Sequence, residues 1–292
     1  MTLRLKINLA MGIVFIIGLV ATSYLSKSIL HSNAKSDVIN HAGMMMESAL
    51  AVRNYTVKEV KPLIKDQLVK TFHPQSVPSY AATTYFNTVR EKHKEYHYKE
   101  ATLNPTNPKD KAVDWETDII KEFSDDKTKK EIIGERNTPT GLSLYLARPI
   151  RITNPDCLSC HSVPSKAPQS MIDLYGPNNG FNWKLDEVVG AQIVSVPLSY
   201  PIRQADRTHL IFILCFVIIF AICFLVVNGL ISIMILKPIN QITNIAEKVS
   251  AGNMNAPEFK EDGKDEISKL GGSFNRMRRS LDKAMEMLDE DD

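Results

Sequence analysis

Two long apolar runs set what this chain can become before any finer feature is read. Residues 7–25 are almost wholly apolar, with Asn8 and Ser23 as interruptions, and residues 210–236 carry no ionisable group except two thiols. Asn228 and Ser232 are the most polar members of the second run. Each run is long enough to cross a hydrocarbon core of about 30 Å as a helix. Arg4 and Lys6 precede the first run, and Lys237 and Lys248 follow the second. Positive charge favours the cytoplasmic side, so both chain ends are expected inside and the stretch between them outside. The expected order is a cytoplasmic N-terminus (1–6), a first transmembrane helix (7–25) and an external domain (26–209). A second transmembrane helix (210–234), a cytoplasmic helical module (235–288) and an acidic tail (289–292) follow. A cleaved signal peptide would share the short basic end and the small residues at 21–23. The length of the first run argues for an anchor instead. Residues 26–59 hold no proline and only one glycine, Gly43, so its helix is free to continue outward.

The external segment contains Cys157-Leu158-Ser159-Cys160-His161. Two thiols three apart, with a histidine directly after, is the spacing of covalent haem attachment. Each thiol adds to one vinyl group, and the adjoining imidazole becomes the proximal ligand of the iron. With 4 Cys and 7 His in 292 residues, this pattern arises by chance roughly once in a thousand such chains. One covalently bound haem c, held by Cys157, Cys160 and His161, is the expectation. Zinc is the main rival, and it wants a second Cys/His pair. The other cysteines, Cys215 and Cys223, lie in the second apolar run and read as packing residues. Attachment of c-type haem takes place in the bacterial periplasm, which agrees with the placement drawn from charge. The chain is thus expected in a bacterial inner (cytoplasmic) membrane, multi-pass, with its external domain periplasmic.

The distal side of the iron is less constrained. Met44-Met45-Met46 lie on an amphipathic stretch, and thioether opposite imidazole is a common pairing. Met46 sits on the apolar stripe and is the first choice for distal ligand, with Met45 next; a methionine there also suits plain core packing. His93 and His97 are alternatives on a polar stretch, while His31, His41 and His73 have no distinguishing spacing. His209 reads as a membrane-boundary residue. Arg148 and Arg151, near the motif, are candidates to pair with haem propionates or to be solvated strand residues.

The external domain reads as helices first, then strands. Ile39, Ala42, Met46, Ala49, Leu50, Val57, Val60 and Ile64 recur at helical spacing. Pro62 should end or kink that helix. A second helix is predicted over 78–96 and a third over 111–123, separated by an Asn104-Pro105 to Asn107-Pro108 loop. Ile132-Ile133, the alternating Leu142, Leu144 and Leu146, and residues 188–196 read as strands. A glycine-containing turn at 176–180 precedes the last of them, and Pro197 closes it. The fold class is α+β, with antiparallel strands flanking the cofactor loop.

Beyond the second span, Ile239, Ile242, Ala246 and Val249 form one apolar stripe. Ile267, Leu270, Phe274, Met277, Leu281, Ala284 and Leu288 form an unbroken heptad series. Pairing the two helices in one chain leaves a seam exposed, so a homodimer in a parallel four-helix bundle is expected. A simple dimerisation stalk would show the same stripes, but the proline, glycine and acidic pair around them argue otherwise.

With Pro238, Gly252, Met254, Asp265 and Glu266, residues 233–287 resemble the HAMP linker of bacterial transmembrane receptors. Residues 53–197 resemble a bacterial c-type haem sensor family, a periplasmic PAS-like haem domain of unknown function. That resemblance rests on Tyr98-Lys99-Glu100-Ala101, Asn104-Pro105 to Asn107-Pro108, Ala147-Arg148-Pro149-Ile150, Cys157 to His161, Tyr175-Gly176, and Gly190-Ala191 to Pro197. It too implies haem on Cys157, Cys160 and His161. Some members use a distal cysteine, which this chain does not carry in its external part outside the motif.

The function expected is a membrane-bound haem-based redox or gas sensor. A haem-state change, including binding of a small gas ligand, would pass through the second span to HAMP and a cytoplasmic signalling partner in trans. The alternative is a membrane-anchored monohaem c-type cytochrome for electron transfer. No acid–base constellation points to an enzyme such as a peroxidase. A net charge of +2, with 44% hydrophobic and 23% charged residues, gives no reason to expect a nucleic-acid partner.

Overall fold

The structure, a computed structural model, describes residues 2–68, 71–139, 141–253, 256–260 and 263–289. It divides into one compact unit, Ser26–His209, and a second formed by residues 1–25 with 210–292.

The first unit is built on helix α1 (Leu3–Tyr55), which enters it from the first apolar run. Ala34, Val38, Ala42, Met46 and Ala49, at steps of four and three, are its buried positions. Of the expected stripe, Ala42, Met46 and Ala49 are buried and Ile39 and Leu50 pack partly against them, whereas Val57 is exposed. Pro62 does not end the helix. A wider π turn at Thr56–Val60 comes first, and the amide of Lys61 bonds to Thr56 O, five residues back. That register spares the helix the i−4 bond that proline cannot make, so helical structure runs on through Lys61–Leu63.

A four-stranded antiparallel sheet follows, ordered β1-β4-β3-β2. Its strands are β1 (His97–Thr102), β2 (Ile132–Thr138), β3 (Gly141–Arg151) and β4 (Val188–Pro197). Helix α2 (Pro78–Lys92) is shorter than predicted, because β1 takes up the chain from His97. Helix α3 (Asp114–Asp125) lies between β1 and β2. Alternation along the strands feeds two cores. On one face Tyr98, Leu144, Leu146, Val194 and Val196 pack with Met46, Ala42 and Val38 of α1 and Phe86 of α2. On the other, Ala101, Ala147, Ala191 and Ile193 pack with Ile119, Ile120 and Phe123 of α3. Each face also buries one acid–base pair: Arg53 with Glu100, and Lys99 with Glu116 at 2.7 Å. Breaking either pair would strand a buried carboxylate, which costs far more than the pair contributes.

Residues 152–187 form a long excursion between β3 and β4. Its base is clipped by Ile152 N to Glu187 O at 2.9 Å and Asp186 N to Ile152 O at 2.9 Å. Within it lie the one-turn helix α4 (Leu158–His161) and helix α5 (Gln169–Tyr175).

Among the described residues two helices are long and apolar enough to cross a membrane, Leu3–Leu63 and Ser199–Ser250, and the apolar part of each belongs to the second unit. Phe15 stacks on Phe220 with centroids 3.8 Å apart, and Phe216 lies against Gly18. Helix α6 (Ser199–Leu230) carries Cys215 and Cys223, both free thiols on its exposed surface. A second π turn, Ile231–Leu236, precedes Lys237-Pro238. It is the same answer to a Lys-Pro pair inside a helix, again with an amide bonding five residues back, Lys237 to Ser232 O. Helix α7 (Lys237–Ser250) ends at Gly252, whose φ of +88° suits glycine. Helix α8 (Glu266–Asp289) is capped by Asp265, which accepts from Ser268 N at 2.8 Å. Bonds from the backbone and side chain of Ser268 hold the Asp265 carboxyl below the ordinary range. Met254 lies outside the described residues.

Candidate functional site

The motif is entered by a tight turn, Pro155–Cys157, in which Asn154 Oδ1 accepts from Asp156 N at 2.9 Å. Asn-Pro explains the turn, since proline fixes its own φ and keeps the preceding residue extended. Cys157 and Cys160 are free thiols, both half-buried. Burial pushes the Cys157 thiol up, against the pull of Lys61 and Arg53.

His161 is held from three sides. Its Nδ1 lies 2.7 Å from Gly180 O, its ring stacks on Trp183 at 4.0 Å and 13°, and Trp183 N donates to His161 O at 3.1 Å. The carbonyl can only accept, so Nδ1 carries the proton and Nε2 is the free lone pair. Burial pushes the imidazole pKa down, only partly offset by the Gly180 bond. A neutral ring with Nε2 free is the form that ligates a metal.

Gly180 is equally constrained. Its φ is +81° and a Cβ there would overlap Thr106. Its N donates to Asn104 Oδ1 at 3.1 Å, and Asn104 Nδ2 donates to Phe181 O at 3.2 Å. Asn182 N to Ser162 O at 2.7 Å ties the same turn to the motif.

Next to Cys157 lies the C-terminal end of α1. Arg53 is bonded to Glu100, and Tyr98 Oη donates to Glu100 Oε1 at 2.7 Å. Burial opposes the Arg53 charge, but Glu100 outweighs it and holds the guanidinium pKa above its ordinary value. Burial drives the Tyr98 phenol far up, with Glu100 adding to it. Burial and then Glu100 push the Asp110 carboxyl up to about 6.

Of the distal candidates, Met46 is fully buried in the α1 core cluster, which includes no residue of 157–161. Met45 lines a shallow apolar groove with His41, Tyr85 and Phe86. His93 is exposed beside Glu95, His31 pairs with Asp206 at 2.7 Å, and His209 Nδ1 lies 3.4 Å from Ser26 Oγ. Arg148 bridges Glu47 at 2.6 Å and Glu131 at 2.9 Å, and Arg151 donates to Lys127 O at 3.1 Å. Both arginines thus have protein partners where propionates were the sequence candidates. Sequence reasoning missed Asn104, Gly180 and Trp183 as parts of the site; Asn-Pro and the glycine turn were the signals.

The donor set suits a flat macrocycle better than a bare ion. Among the described residues no group of three or more His, Cys, Asp or Glu converges as a metal site, the motif included. Two thiols and an imidazole that do not meet at a point fit a porphyrin, which takes them at its edge and its centre.

A family model, Tll0287-like, matches residues 31–197, more than half of the chain. The chain belongs to the Tll0287-like family. The HAMP domain model matches residues 230–283. A Tll0287-like haem-protein domain is therefore followed by a HAMP domain, as the two sequence resemblances imply. The chain is also similar to a solved structure titled "Crystal structure of the cyanobacterial heme-protein Tll0287", at 11% identity and a TM-score of 0.41. That similarity covers 55% of this chain and 94% of the other. No curated protein matches. The Tll0287-like segment runs from α1 to the end of β4 and holds every residue of the site. Its HAMP neighbour marks the chain as a signal-transduction sensor.

Proposed function

We propose that this chain is a membrane-bound, haem-based redox or gas sensor of a bacterial inner membrane. One haem c is tethered by thioethers from Cys157 and Cys160, with His161 as proximal ligand. The domain of residues 26–209 is PAS-like and periplasmic, flanked by two transmembrane helices, and the HAMP module is cytoplasmic. The observation that carries the reading is the His161 geometry: Nδ1 is engaged by Gly180 O, and Nε2 is left for iron, one residue after a half-buried thiol.

The bound haem supplies a one-electron couple and, where its sixth position opens, a site for a small diatomic gas. The chain's own residues carry the rest. The motif sits on the excursion whose base, Ile152 with Glu187, is bonded at the start of β4. β4 is flanked by β1 and β3 and leads within two residues into α6. A shift of the excursion is thus passed to the helix that continues into the second span, and from there to HAMP. Packed helical interfaces switch between discrete arrangements. Output goes through a cytoplasmic partner in trans to a HAMP-mediated homodimer. An electron carrier has no use for a HAMP module, which is why the sensor reading is preferred.

Cys157→Ala with Cys160→Ala in the full chain should abolish haem staining of the denatured polypeptide. Haem retained covalently in that variant would refute the attachment. Ferrous spectra of the wild type with and without carbon monoxide and nitric oxide then separate a gas-responsive site from a redox-only one.

A further inference from the structure

Asn104 precedes the first proline of a loop that the sensor reading leaves without a role. It stands before Pro105, which disfavours helix there, just past the end of β1, where Leu103 N bonds to Val189 O at 3.3 Å. Its side-chain amide is fully used. Oδ1 accepts from Gly180 N at 3.1 Å and Nδ2 donates to Phe181 O at 3.2 Å. Those two groups lie on either side of the peptide whose carbonyl, Gly180 O, faces His161 Nδ1 at 2.7 Å. Thr106, two residues further along the loop, packs on Gly180 so closely that no Cβ would fit. The 104–106 loop and the 180–183 turn thus form one fixture under the imidazole.

We propose that Asn104 is a positioning residue for the proximal ligand, aiming the Gly180 carbonyl at His161 Nδ1 and so setting the electron donation of His161 to a haem iron. The proposal rests on the haem reading above. A histidine that donates strongly through Nδ1 is a better donor at Nε2, which favours ferric over ferrous iron. Slackening the carbonyl weakens that donation and shifts the balance the other way. The neighbouring Asn107 is a natural control: its Oδ1 accepts from Lys109 N at 3.2 Å, a bond within its own loop.

The test compares full-length wild type, Asn104→Leu, Asn104→Asp and Asn107→Ala in detergent. Covalent haem is scored by staining of denatured protein, and the midpoint potential by spectroelectrochemical titration. Asn104→Leu loses both bonds and should raise the ferrous:ferric ratio at fixed ambient potential about tenfold, or roughly 59 mV for a one-electron couple. Asn104→Asp keeps the acceptor for Gly180 N, loses the donor to Phe181 O, and should fall between Leu and wild type. Asn107→Ala should match wild type. Stained Asn104→Leu or Asn104→Asp protein with an unchanged potential overturns the positioning role while leaving the haem reading intact. If Asn104→Leu fails to mature, the Asn104→Asp potential decides alone. An unstained wild type overturns both.

Discussion

Met46 is the residue at which packing and ligation make opposite demands on one side chain. It is fully buried, against Ala42, Phe86, Tyr98 and Leu144. A thioether in that setting fills space that a smaller residue would leave as a cavity. Met46→Ala should therefore destabilise the chain by about 3 kcal/mol, read as a lower thermal midpoint in detergent. The Soret and visible bands should keep their positions. A shifted Soret band would instead make Met46 the distal ligand, and the stability loss alone cannot mimic that shift. Arg53 shows the complementary case of a charge retained because it is paired. It satisfies Glu100, which lies 3% exposed beneath the sheet face, and losing either partner would leave the other charge buried alone.

At the scale of elements, the connector of the HAMP module is held by side chains of α8, among them Arg278, which reaches Ala256 O and Glu258, and Asn275. Asn275, 1% exposed, donates to Phe259 O at 2.8 Å and accepts from Phe259 N at 3.1 Å. Gly271 leaves room for the Phe259 ring, which a Cβ there would overlap. Asn275→Ala removes partners from two backbone groups, at about 1–3 kcal/mol each. The connector should open more often, so trypsin cleavage after Lys260 and Lys264 in the full chain should accelerate by at least tenfold, since about 1.4 kcal/mol is already a factor of ten. Cleavage at the wild-type rate would remove this clamp. These contacts also mark where sequence reading stops. Helices α1, α7 and α8 were legible because their apolar residues repeat locally, at steps of three and four. β1 was not, because its inward alternation includes Glu100, a charge that looks solvent-facing until Arg53 is placed beside it. β2 showed only Ile132-Ile133, since the rest of this edge strand, including Glu135 and Arg136, gains its order from pairing with β3. The same division runs through the site. Cys157, Cys160 and His161 were legible because five consecutive residues carry the chemistry. Gly180 and Asn104 were not, being 19 and 76 residues from their partners.

For the whole molecule, the decisive feature is a seam that one chain does not cover. Ile242 and Val249 of α7 are buried within a single chain, whereas Leu270, Met277 and Leu281 of α8 are 51%, 62% and 46% exposed. They fall on the heptad series, so a second copy in register would bury all three, as parallel bundles do. Fully burying a leucine contributes about 1.5–3 kcal/mol, and a dimer contains two copies of each position. Leu270→Glu with Leu281→Glu thus removes four such contributions and sets like charges against each other in the seam. The variant should run as a monomer by light scattering in detergent at concentrations where wild type is dimeric. Haem staining and the visible spectrum should be unchanged, because Cys157, Cys160 and His161, the residues proposed to hold haem, lie in the Ser26–His209 unit. A variant that stays dimeric places the self-association in the spans or the external domain, and HAMP would then respond to a dimer made elsewhere. A monomer with intact haem but no downstream response would separate sensing from transmission, which is the division of labour that a haem domain followed by a HAMP module requires.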